Sequence, residues 1–108
     1  MGRTRHFKNK LAKNERLYVI WCNMKSRCYD ETREAYKYYG AKGIRLCPEW
    51  ENDFMAFYTW SKANGYRKNL TIDRKRSSDD YSPTTCQWIT KKANCRKQEH
   101  KTNLLARL

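Results

Sequence analysis

The sequence predicts a small single-domain α+β protein, and three observations carry that expectation. Leu17, Ile20, Trp21, Met24 and Cys28 recur at three- and four-residue steps, the period of an amphipathic helix. Phe54, Phe57 and Trp60 repeat that spacing in a second segment. Two short apolar runs, Leu70–Arg74 and Cys86–Thr90, flank a loop whose Asp79, Asp80, Ser82 and Pro83 supply turn chemistry, which reads as strand, loop and strand. A chain of 108 residues has material for one modest core.

Taken in order, residues 1–13 carry Arg3, Arg5, Lys8, Lys10 and Lys13 with no acid and little apolar periodicity. They read as a flexible basic arm, either solvated or tracking phosphates. The domain proper spans 14–108, and its first helix starts at Asn14, a fair N-cap. The other face of that helix shows Arg16, Lys25 and Arg27, the ordinary wet side of a helix. The stretch "EAYKYYGAKGIRLCPEW" predicts a helical turn, a tight glycine turn and a strand stopped by Pro48. Its Tyr36, Tyr38 and Tyr39 could stack on bases, but in so short a chain packing is the better use of them. A second helix follows over "ENDFMAFYTWSKANGY", stopped by Asn64 and Gly65. Then come the strand Leu70–Arg74, the loop Lys75–Thr85, the strand Cys86–Thr90 and a helix from Lys91 onward, so that the expectation is two helices plus short strands, closed by this last unit.

Lys and Arg number 24 against 11 Asp and Glu, a formal charge of +13. Such a balance draws a protein toward polyanions and makes nucleic acid the leading partner. An anionic membrane is excluded on this reading, because neither a wide apolar helix face nor a long apolar run is present. "MGRTRHFKNK" has charge but no apolar stretch behind it, so a secretory signal is not expected and the expectation is a cytoplasmic protein. Five cysteines, an odd number, then point to free thiols or a metal site over a disulfide framework.

"RLYVIWCNMKSRCY", "YKYYGAKGIRLCPEW", "FMAFYTWSKANGY", "LTIDR" and "YSPTTCQWIT" come in an order and spacing that resembles a family of small phage and prophage proteins described as HNH endonucleases or HNH-like DNA-binding proteins. The resemblance covers residues 16 to about 98. It implies an α+β unit ending in a ββα-metal (HNH-like) element, acting on double-stranded DNA in the cytoplasm of a bacterial host cell. It also implies departures. Where relatives look like "IDRIDNDGNYSPENCRW", this chain has "IDRKRSSDDYSPTTCQW", so the loop loses an acid and gains Lys75 and Arg76.

HNH chemistry needs a histidine to take a proton from water, and a metal against the scissile phosphate. The matching strand and loop offer Asp73 with Asp79 or Asp80, an oxygen set suited to magnesium or manganese, and the following helix offers Asn94. The only histidines are His6 and His100. An active nuclease would therefore rest on Asp73, Asp80 and His100. The alternative makes Asp73 the partner of a neighbouring arginine, and the loop acids a polar turn.

Cys28, Cys47 and Cys86 stand where the resembled family also tends to carry cysteine. With Cys95 (or Cys22, His6 or His100) as fourth ligand they would make a tetrahedral structural zinc site, although no pair stands two residues apart. Buried reduced thiols acting as small apolar side chains are the competing reading. The expectation is a DNA-binding protein with a degenerate nuclease-like site. Its phosphate contacts fall to Arg3, Arg5 and Lys8, to Arg74, Lys75 and Arg76, and to Lys91, Lys92, Arg96 and Lys97. Two alternatives stand beside it: an active metal-dependent endonuclease, and a phage inhibitor or regulator of a host protein that handles nucleic acid.

Overall fold

A computed structural model describes residues 15–97. The basic arm with Arg3, Arg5, Lys8 and His6, the N-cap assigned to Asn14, and His100 lie outside the described residues.

Helix α1, Glu15–Tyr29, buries Leu17, Met24 and Cys28, and half-buries Ile20 and Trp21 beside them. This is the apolar stripe that the periodicity predicts. The chain then turns through Asp30, whose carboxylate accepts from the backbone and hydroxyl of Thr32. Two 3-10 turns follow, Glu34–Tyr38 and Gly40–Lys42. Gly40 is required by packing: a Cβ there would run into the Cys28 carbonyl and the Tyr36 ring. Gly43, at φ 87°, takes the left-handed conformation that closes the second turn.

The strand expected over "IRLC" is reduced to one parallel bridge, Leu46 to Tyr81, flanked by Cys47 N–H to the Tyr81 carbonyl (2.8 Å) and Tyr81 N–H to the Arg45 carbonyl (2.9 Å). The reason lies next door. Pro48 has no N–H and sits in the first turn of helix α2, Pro48–Glu51, so the extended stretch ends almost as it begins. Helix α2 places Trp50 in the core. Helix α3, Phe54–Ala63, is N-capped by Asp53, whose carboxylate accepts from Met55 N–H at 2.9 Å. It buries Phe54, Phe57 and Ser61, and ends at Asn64 and Gly65, where φ is 89°.

Strands β1, Leu70–Arg74, and β2, Cys86–Thr90, pair antiparallel in the register Leu70 to Thr90 through Arg74 to Cys86. Residues 91–97 are helical, opened by Thr90, whose hydroxyl accepts from Ala93 N–H at 3.0 Å. The architecture is thus α+β, helices against a two-stranded antiparallel sheet. It is richer than two helices plus strands by α2, while the two 3-10 turns stand where a helical turn and a glycine turn were expected. The sheet meets the helices through Trp88, which packs on Phe57, Trp60 and Tyr66, while Trp50 stands edge-on to Phe57 at 5.0 Å between ring centres. Among the described residues no helix is long and apolar enough to cross a membrane.

Candidate functional site

One stripe of α1 and one edge of the sheet face each other across a groove of about 530 Å³. Arg16, Ile20, Asn23 and Arg27 follow one another at steps of four, three and four, so they lie on a single face of α1 and form one wall. Thr71, Asp73, Arg74 and Lys75 from β1 and its loop form the other, with Asn94 and Lys97 from the 91–97 helix above it. Five cationic side chains, Arg16, Arg27, Arg74, Lys75 and Lys97, therefore line a groove that holds one carboxylate, Asp73.

That carboxylate is already engaged. Asp73, 8% exposed, accepts at Oδ2 from Lys97 Nζ at 2.6 Å and from Gln87 Nε2 at 2.9 Å. Gln87 is its direct cross-strand partner. The expected arginine partner is a lysine instead, because the guanidinium of the adjacent Arg74 is engaged by the loop that follows the strand. Arg74 donates from Nη1 to the carbonyls of Ser77 (2.6 Å) and Asp79 (2.8 Å). Its guanidinium also lies 5.0 and 5.2 Å from the ring centres of Tyr39 and Tyr81. Arg27, from α1, lies 5.1 and 5.8 Å from the same two rings and donates from Nη2 to the Tyr81 hydroxyl at 3.0 Å.

The loop acids do not join Asp73. Asp80 accepts from the Arg45 backbone N–H at 3.0 Å, tying the loop to the bridge at Leu46, and its carbonyl accepts from the Thr85 hydroxyl at 2.6 Å. Asp79 serves through its backbone. Asn94 donates to the Thr71 hydroxyl at 3.1 Å, above the same strand.

Nor are the cysteines gathered. Cys28 and Cys86 are buried in the core, Cys47 is half-buried before α2, and Cys22 and Cys95 are exposed. Among the described residues no three His, Cys, Asp or Glu side chains stand where a metal ion could be held. Burial pushes both the Cys28 and the Cys86 thiols up to about 11, against the pull of nearby arginines on Cys28 and chiefly of a backbone hydrogen bond at Ser82 on Cys86, which favours the protonated thiol in the core.

Of the phosphate-contact residues expected from the sequence, the groove collects Arg74, Lys75 and Lys97. Arg76, Lys91, Lys92 and Arg96 are exposed outside its walls. Arg16 and Arg27, passed over as the wet side of α1, are the additions. Their signal was present, since Arg16, Asn23 and Arg27 share a stripe with Ile20, but only the position of β1 turns that stripe into a wall. Comparison with protein-family models, with curated proteins and with solved structures returns no match to this chain.

Proposed function

We propose that this protein binds nucleic acid, double-stranded DNA first, by seating the phosphate backbone of a strand in the groove between α1 and β1. The observation that carries the reading is the charge of that groove: five cations face one carboxylate, and that carboxylate is paired with one of them. Low-dielectric walls on such a groove concentrate its field and draw in a polyanion. The exposed Lys91, Lys92 and Arg96 extend the basic surface along the adjoining helix.

On this reading the strand, loop, strand and helix from Leu70 onward keep the outline of an HNH nuclease element in a phage-type protein, without its catalytic function. Asp73 then serves folding. Its Oδ2 is taken by Lys97 and Gln87, and a lysine ammonium at 2.6 Å occupies the charge that a divalent metal would otherwise need. No histidine lies among the described residues to activate water.

The test is a titration of labelled duplex DNA at a series of salt concentrations, with plasmid incubated in parallel with magnesium, manganese or zinc. Binding that weakens on a log-log slope of about 0.9 per phosphate neutralised, with the plasmid left intact, is expected. Salt-independent binding, or absence of binding, would sink the reading. Metal-dependent cleavage abolished by Asp73→Asn in a folded protein would replace it with the endonuclease.

A further inference from the structure

We propose that Arg27 and Arg74 form a two-guanidinium clamp for one phosphate group, with Tyr39 and Tyr81 as the plate that holds them. The inference rests on the nucleic-acid reading only for the identity of the ligand, a backbone phosphodiester. The clamp itself is argued from geometry.

The two arginines come from distant parts of the chain and converge on one aromatic pair. Tyr39 and Tyr81 are nearly parallel, 14° apart with ring centres 6.4 Å from each other, and both guanidinium groups lie within 5.8 Å of both rings. Each is pinned by hydrogen bonds that use only part of its donors. Arg27 is held through Nη2 by the Tyr81 hydroxyl, and Arg74 through Nη1 by two loop carbonyls. Both line the groove.

What the pair lacks is an anion. Among the described residues neither arginine has a carboxylate partner; the ion pairs there join Lys37 to Glu34 and Lys97 to Asp73. Arg27 also keeps a buried Nε–H with no acceptor. Two like charges held against the same plate repel, and aromatic faces offset that only in part. A phosphate would satisfy both at once, because its oxygens match the planar donor fork of each guanidinium. Lys91 and Lys92 differ in kind: they are exposed, flexible point charges that contribute by counterion release without geometry.

Substitutions that preserve charge separate geometry from field. Arg27→Lys and Arg74→Lys should each weaken binding of a random-sequence duplex by about tenfold, the loss of one charge-assisted hydrogen bond, with the salt slope unchanged. Lys68→Arg, at an exposed position outside the groove, should change nothing. Because Arg27 and Arg74 also brace the fold, a second measurement uses the wild-type protein: the Nε–Hε NMR signals of both arginines should move on titration with inorganic phosphate and with the duplex. If the wild type binds DNA while both lysine variants bind as tightly and the signals stay put, the clamp is wrong and the nucleic-acid reading survives. If phosphate moves the signals but no nucleic acid binds, the clamp stands, and its ligand is a small phosphate compound. Signals that move with the duplex alone assign it to a phosphodiester.

Discussion

Asp73 shows how far a single side chain can be read in two ways. From the sequence it is expected to be the acid of a nuclease-like strand; in the structure it is the counterion of Lys97 and the cross-strand partner of Gln87. Asp73→Asn removes the charge and keeps the shape, so we expect stability to fall by about 1–2 kcal/mol, discounted because the Lys97 side chain is 44% exposed. Affinity for DNA should rise, since the groove loses its carboxylate and Lys97 is released toward phosphate. Urea denaturation followed by tryptophan fluorescence measures the first, and the same titration used for the wild type measures the second; weaker binding by the folded variant would mean that Asp73 orients a contact residue.

The buried thiols give a pH-dependent prediction at the same scale. Cys28 and Cys86 titrate near 11 in the folded chain and near their ordinary value once unfolded. An acid whose folded pKa is raised holds its stabilising contribution below the unfolded pKa and loses it as pH climbs through the folded one. Stability should therefore decline between about pH 9 and pH 11. Under native conditions an aromatic disulfide reagent should modify Cys22 and Cys95 quickly and reach Cys28 and Cys86 only on unfolding. Rapid native modification of all five would show that the core opens readily.

At the scale of elements, the segment 91–97 is lightly attached. Ala93, Cys95 and its basic residues are exposed, and its contacts with the sheet are polar: Thr90 caps it, Asn94 donates to Thr71, and Lys97 pairs with Asp73. Elements held this way open at low free-energy cost. Its amides should exchange with deuterium faster than those of β1 and β2, and should slow when DNA is added; protection that matches the sheet in the free protein would contradict this. Both strands were legible residue by residue, because apolar runs bounded by turn residues encode their own ends. The run "IRLC" was expected as a strand and is a single bridge, since its pairing partner, Tyr81, lies 35 positions from Leu46 and no local pattern shows how short that pairing is.

Across the whole molecule, the core is an aromatic assembly in a short chain. Trp50, 1% exposed, is wedged among Phe57 and Trp60, and its backbone carbonyl accepts from the Trp21 indole N–H at 2.7 Å. Truncating it should cost about 3–5 kcal/mol, comparable with the total stability of a small domain. Trp50→Ala should give a flat thermal melt and no cooperative urea transition; a cooperative melt near that of the wild type would show that the core collapses around the gap.

By itself the sequence determined the fold class, the two main helices, the sheet and the net charge, because these follow from periodicities of 3.6 and 2 and from composition, which are local or additive. Only the tertiary structure decided which charges act together. Arg16 and Arg27 became a groove wall when α1 packed opposite β1, and Tyr39 met Tyr81 across 42 positions to hold two arginines in one place. Asp73 drew its lysine from 24 residues away. Such convergence depends on how elements pack and on which face each side chain leaves its strand or helix, and the spacing along a single chain does not encode it.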